Sequence, residues 1–435
     1  MAGAADLHLP EECWECILKF LNDDEDDKHN HYFKFPNITH LNLNPSFRAD
    51  CNAFLHQISR FSLKLTSLNL SSQVFIPADG WRAFSQNITT LTSLNCSNMD
   101  SIKTTDLLLI ADCFPFLEEL ELGRIEMFFH QTSFIDAIKT LSFKLSKLRK
   151  VNLSTHPYMN DQLLFHLFCN CKFLEEAIIF DCFNLTIHGI LSAIRERPKF
   201  RSLHFTNKTD NCSNLFVLLR NYPSLSSIRM EYPQLDDSYM REESVDNSIS
   251  LMIVSPQLKS LCLAGNAWLS DESIVLFASI FPSLQLLDLS HCNQISQGIC
   301  EVLRRCVKIR HLNLAHCSKV NLLGMSFEAP KLEVLNLSHT GVNNAELRVI
   351  SKSCPGLLHM LLTNCINVSN TGVRHVVENC TRLREINLRE CYKVRPKIIS
   401  SMILSRPSLR KIVVPPCYRF NDGERELLTH GCLLC

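Results

Sequence analysis

Apolar positions recur along this chain in a fixed phrase. It reads Leu65-x-x-Leu68-x-Leu70, Leu117-x-x-Leu120-x-Leu122, Leu284-x-x-Leu287-x-Leu289 and Leu332-x-x-Leu335-x-Leu337. With the first apolar residue of each phrase as a marker, the markers fall at 38, 65, 91, 117, 148, 174, 200, 225, 258, 284, 309, 332, 357, 383 and 409. Ten of the 14 spacings are 25 or 26 residues, which is a repeat and not chance. The alternation within the phrase predicts a short strand, its apolar residues turned inward and its polar residues at marker +2, +4 and +6 turned outward. Further on, stripes such as Leu163, Leu164, Leu167 and Phe168 predict a helix. One such unit cannot close a core, but a stack of them can, with strands roughly 4.8 Å apart.

Two other residue types keep the same phase. Proline stands two residues before the marker at Pro36, Pro115, Pro198, Pro223, Pro256, Pro282, Pro330, Pro355 and Pro407, marking each exit from helix to strand. Cysteine stands at marker +8 in Cys182, Cys292, Cys317, Cys365 and Cys391, with Asn266 and Thr340 equivalent to them. The cysteine and asparagine side chains are expected to hydrogen-bond the backbone of the neighbouring coil. Cys171, Cys306, Cys354 and Cys380 stand three before the marker. Three units depart from the period. Residues 123–147 and 231–255 carry about five and about seven extra residues, and the unit at Ile309 is short enough that its helix, near Leu322 to Phe327, should reduce to a turn.

This pattern resembles the cysteine-containing subfamily of leucine-rich repeats, with Leu284-Gln-Leu-Leu-Asp-Leu-Ser-His-Cys292 close to its signature. The resemblance covers roughly residues 36 to 416. It implies an α/β fold: a leucine-rich-repeat solenoid, a curved horseshoe of about 15 repeats of ~26 residues. A short helical segment precedes it. In Leu7 to Leu21, Trp14, Ile17, Leu18 and Leu21 share one helix face behind Pro10 and two glutamates. By pattern alone this is a helix capping the first repeat. The string also resembles the opening helix of an F-box, carried by Leu9, Pro10, Glu12, Ile17, Leu18 and Leu21. An F-box followed by cysteine-type repeats is a known pairing, and the chain looks like its plant members. The resemblance implies docking to a Skp-family adaptor, and through it a cullin, by Leu9, Pro10, Trp14, Ile17, Leu18 and Leu21.

The chain departs from that pattern after the first helix. It runs into Asp23 to Asp27, then His29, His31 and Tyr32, and the further F-box helices are not recognisable. The expected organisation is therefore a truncated F-box-like segment (1–22), an acidic linker (23–34), the solenoid (35–416) and a C-terminal cap (417–435).

Composition narrows the chemistry. The 44 basic and 44 acidic residues cancel, which argues against a general binder of nucleic acid or anionic membrane. Leucine makes up 66 of 435 residues, but glycine only 12, and no phosphate-binding glycine loop occurs. No signal peptide or run of about 18 apolar residues is present, so an intracellular location in cytoplasm or nucleus is expected, with the 21 cysteines as thiols. No catalytic or zinc-binding motif is found, and neither cofactor nor metal is expected. His291, His316 and His339 form a column at marker +7; repeat duplication explains it more simply than a metal or pH-sensing site.

The outward face of the strands is the expected binding surface. Its candidate residues are Glu119, Glu121, Glu176, Ile178, Phe180, His204, Arg229, Glu231, His311, His359, Glu385, Arg389 and Lys411. Mixed charge with an aromatic suits a protein partner better than a nucleic acid. With this surface as the target-binding face, the F-box resemblance implies a non-catalytic substrate-recognition subunit of an SCF-type E3 ubiquitin ligase. The alternatives are an adaptor-free repeat scaffold and a small-molecule-sensing receptor.

Overall fold

The repeat phase read from the sequence is realised residue by residue in the computed structural model. The structure describes residues 39–43, 51–60, 63–99, 102–124, 131–206, 215, 218–219, 221–231, 254–395, 397–415 and 433–434. The chain divides into two compact units, Met1–Phe205 and Thr206–Cys435.

In the first unit the strands are β1 (His40–Asn42), β2 (Ser67–Asn69), β3 (Ser93–Asn95), β4 (Glu119–Glu121), β5 (Lys150–Asn152), β6 (Glu176–Ile179) and β7 (Ser202–Thr206). They pair in chain order, every pair parallel. In the second unit, β8 (Ser227–Glu231), β9 (Ser260–Cys262), β10 (Leu286–Asp288), β11 (His311–Asn313), β12 (Val334–Asn336), β13 (His359–Leu361), β14 (Glu385–Asn387), β15 (Lys411–Val413) and β16 (Leu433–Leu434) do the same. In both units marker +3 is the inward strand residue, and Leu68, Leu94, Leu120, Leu287, Leu335 and Ile386 are all buried there. This is the α/β solenoid that the leucine spacing implied.

The bend after each strand has one backbone solution. Ser72, Asn98, Arg124, Thr155, Asp181, Gly265, His291, His316, His339, Asn364 and Glu390 all hold a positive φ, and each stands at marker +7. The next position faces inward and donates to the carbonyl of marker +5 in the unit before. Cys182 reaches Leu153 (3.1 Å), Cys292 reaches Leu263 (3.2 Å), Cys317 reaches Leu289 (3.0 Å), Cys365 reaches Leu337 (3.1 Å) and Cys391 reaches Leu362 (3.0 Å). Asn266 makes the equivalent bond to Met230 at 2.9 Å, so the expectation for cysteine and asparagine holds. Thr340, at the same phase, instead bonds Leu337 in its own unit at 2.6 Å. Gln73 and His156 occupy the same phase and bond Leu43 and Leu122. Most of these positions thus hold a buried or half-buried donor, with cysteine as its commonest form, while Met99 fills the same phase as a buried apolar side chain.

Helix starts are tied between units as well. Asn160 and Thr186 cap the helices Asp161–Asn170 and Ile187–Arg195 by accepting from Leu163 and Gly189. Asp161 in turn accepts from the Thr186 backbone (2.8 Å) and hydroxyl (2.6 Å) of the following unit. Asp271 accepts from the Ser296 backbone and hydroxyl in the same way, whereas Asn344 accepts from the Ser369 backbone (3.0 Å) and donates to its hydroxyl (2.9 Å).

Two of the three irregular units can be followed. No helix stands between β11 and β12 among the described residues; the segment turns instead. Part of the insertion in 123–147 lengthens the helix Gln131–Lys144 to 14 residues, where Asp161–Asn170 has 10. Most of the 231–255 insertion lies outside the described residues.

Candidate protein-binding face

Strand alternation places marker +2 and +4 on the outward face, but the two positions differ in their freedom. Where +4 is Asn or Asp, its side chain turns back onto its own bend. Asn69, Asn95, Asn152, Asp288, Asn313, Asn336 and Asn387 each accept from the backbone N–H two residues on, at 2.9 to 3.1 Å. These residues shape the turn. Side chains available to a partner are those at +2, and those at +4 where the asparagine is replaced.

In the first unit the candidates converge. Register pairs Glu119 with Lys150 and Lys150 with Glu176. Lys150 Nζ lies 3.1 Å from Glu121 and 3.6 Å from Glu176. Partial burial works against its charge, but Glu121, Glu176 and Glu119 outweigh this and raise its pKa. Glu119 is exposed and accepts from the Ser93 hydroxyl at 3.0 Å. Three carboxylates thus surround one ammonium, leaving a negative excess. Beside them Ile178 pairs in register with His204, and the Phe180 ring lies 6.0 Å from the His204 ring. Lys150 was absent from the sequence-based set because a lone lysine on a strand carries no signal; only parallel pairing places it between two acidic strands.

In the second unit the candidates mostly neutralise one another. Arg229 Nε donates to Glu231 within one strand at 2.6 Å. Glu385 sits between His359 (3.3 Å) and Lys411 (2.9 Å) on neighbouring strands. Burial would raise its pKa, but Lys411 and His359 outweigh that and lower it. His311 and Arg389 are exposed, His311 standing between Leu286 and Val334 in register. The segment carrying Leu9, Pro10, Trp14, Ile17, Leu18 and Leu21 lies outside the described residues, as does the acidic run after it.

The histidine column is physically a stack. His316 lies 4.2 Å from both His291 and His339, with rings tilted by 10°. Parallel rings aim their nitrogen lone pairs side by side and not at one point. Among the described residues no group of three or more His, Cys, Asp or Glu is placed to hold a metal. The repeat cysteines are buried, and burial pushes the Cys171 and Cys365 thiols up to about 12, so they behave as hydrogen-bonding structural groups. Among the described residues no helix is long and apolar enough to cross a membrane.

No protein-family model matches the chain. It is 28% identical over 127 residues to an F-box/LRR-repeat protein of Arabidopsis thaliana, covering 27% of this chain and 28% of that protein. It is 24% identical over 302 residues to the Arabidopsis thaliana F-box protein FBX14, covering 67% of this chain and 47% of that protein. It is 28% identical over 192 residues to the antagonist of mitotic exit network protein 1 of Eremothecium gossypii, covering 40% of this chain and 48% of that protein. The chain spans less than half the length of each of these relatives. Among solved structures, the yeast Rad7 and Elc1 complex has a TM-score of 0.49 at 15% identity, covering 88% of this chain and 83% of that chain. The chain is thus similar to F-box and F-box/LRR-repeat proteins of Arabidopsis thaliana.

Proposed function

We propose that this chain is a non-catalytic substrate-recognition subunit of an SCF-type ubiquitin ligase. The observation that carries the reading is the likeness to proteins named for an F-box, together with the F-box-like string at Leu9 to Leu21. Leu9, Pro10, Trp14, Ile17, Leu18 and Leu21 present the apolar face to a Skp-family adaptor, which joins the chain to a cullin. The sheet face holds the target protein, with Glu119, Glu121, Glu176, Phe180 and His204 as its main contacts and His311 and Arg389 as further ones. Chemistry belongs to the partner proteins, and this chain supplies proximity and orientation.

The test is a pull-down of purified Skp adaptor with the full chain and with Ile17→Asp/Leu18→Asp. Adaptor retained by the native chain and lost with the variant is the expected result. No retention by the native chain would sink the ligase reading. It would favour the second one, a repeat scaffold without an adaptor, which the departure after Leu21 supports.

A further inference from the structure

The first unit exposes a second surface, at the edge where each helix hands over to its strand. The residue just before the marker lies here. Through four successive units it reads Phe116, Lys147, Phe173 and Lys199. The four follow one another along the edge because the strands behind them are laddered. Arg149 N–H donates to Glu118 (2.7 Å), Glu175 to Arg149 (2.8 Å) and Arg201 to Glu175 (2.8 Å). Successive positions are therefore roughly one strand spacing, about 4.8 Å, apart. Phe116 is 49% exposed and Phe173 is 63% exposed, large apolar rings held in water side by side with cations. Lys147 Nζ lies 4.6 Å from the centre of the Phe116 ring.

The strip ends at a cleft of about 230 Å³, lined by Ile88, Leu91, Phe114 and Phe116 together with polar groups that include Asp112. That volume suits one bulky side chain. The charges around the strip divide into two sets. Arg149 is taken up by Glu175 at 2.8 Å, and Asp112 by Lys144. Among the described residues, no carboxylate lies within ion-pair distance of Lys147, Lys172 or Lys199. The strip therefore has a surplus of positive charge set between aromatic rings.

We propose that this Phe116–Lys147–Phe173–Lys199 strip docks an extended acidic segment of a protein partner, with a bulky apolar residue of that segment seated in the cleft. From cleft to Lys199 the strip spans about 19 Å, the reach of about six extended residues. Carboxylates of the segment meet Lys147 and Lys199, and its apolar side chains lie on the exposed rings. A nucleic acid fits less well. Glu175 and Asp112 already hold Arg149 and Lys144, so the cations left over are the spaced Lys147, Lys172 and Lys199, which suit single carboxylates of a peptide better than a continuous phosphate chain. The surface is separate from the sheet face, and the inference does not depend on the ligase reading.

The test is selection of a displayed random-peptide library on the full chain and, in parallel, on the full chain carrying Lys147→Glu/Lys199→Glu. The expected result is enrichment of sequences that combine Asp or Glu with Leu or an aromatic, lost on the variant. The most enriched sequence is then synthesised and its binding measured by fluorescence anisotropy. It should weaken at least about tenfold with Lys147→Glu/Lys199→Glu and again with Phe116→Ser/Phe173→Ser. Circular dichroism and thermal melting check that both variants stay folded, and a single Lys199→Glu serves if either does not. Enrichment of non-acidic sequences, or of the same sequences on native and variant chains, overturns the proposal. So does labelled oligothymidylate binding more tightly than the peptide and losing its affinity with the same lysines.

Discussion

His156 makes the first unit acid-sensitive in a calculable way. The ring is buried, its Nε2 lies 3.0 Å from the Leu122 carbonyl oxygen, and it stacks on Phe134 at 5.4 Å. Burial lowers its pKa from 6.5 to about 4, although the Leu122 carbonyl favours the charged form. A histidine of depressed pKa takes up its proton more readily in the unfolded chain. Stability is therefore complete above 6.5 and is lost as pH falls from there towards 4. At about 1.4 kcal/mol per pH unit the full effect is about 3 kcal/mol, and about 2 kcal/mol of it is spent by pH 5. The matched variant is His156→Gln, because Gln73 fills the same repeat position and donates to the Leu43 carbonyl at 2.5 Å. Urea unfolding followed by circular dichroism at pH 7.5 and 5.0 gives the comparison. The native chain should lose about 2 kcal/mol more than His156→Gln over that range. Burial, His291 and His339 also lower the His316 pKa, but that contribution is common to both proteins and cancels. Parallel loss in native chain and variant would refute the reasoning, since the buried ring would then not be the group that titrates.

Two further outcomes test the ties between repeats. Asn266 is buried, donates to Met230 (2.9 Å) and Leu263 (2.8 Å), and accepts from the Trp268 indole at 3.1 Å. Asn266→Ala should cost about 2–4 kcal/mol by leaving buried carbonyls unpaired. Asn266→Cys, which restores the residue type of its column, should cost about half as much; equal losses by thermal melting would count against the donor rule. Gly189→Ala should destabilise by about 1–3 kcal/mol in urea despite alanine's better helix propensity. A Cβ there would overlap the Asp161 side chain, whose carboxylate ties down the Thr186 backbone and hydroxyl. Unchanged or raised stability would show that Asp161 can move aside freely.

Much of the fold was legible before any coordinates. Leucine spacing, the proline phase and the cysteines at marker +8 together determine strand, bend and helix, because a repeat must bury the same positions in every unit. Partner atoms were not legible. That His156 and Gln73 belong with the cysteines became visible only when their donors were seen meeting the Leu122 and Leu43 carbonyls. The helical glycines were missed as well. Gly189, Gly298 and Gly372 stand where a Cβ would strike Asp161, Asp271 and Asn344 of the preceding unit. Of the candidate face, the sequence supplied the outward positions but could not sort them, because an asparagine folded onto its own turn and a glutamate offered to a partner occupy the same alternation.

By itself, then, the sequence determined the period and the side of the sheet on which each residue stands. Both are local properties, set by side-chain alternation and by proline backbone preferences. The tertiary structure alone decided which charges meet. Glu119, Lys150 and Glu176 are 31 and 26 residues apart in sequence, yet parallel pairing makes them neighbours. The same pairing lines up Phe116, Lys147, Phe173 and Lys199 along one edge. Charge balance across strands depends on register, and register is fixed only when the units stack and bury their leucines.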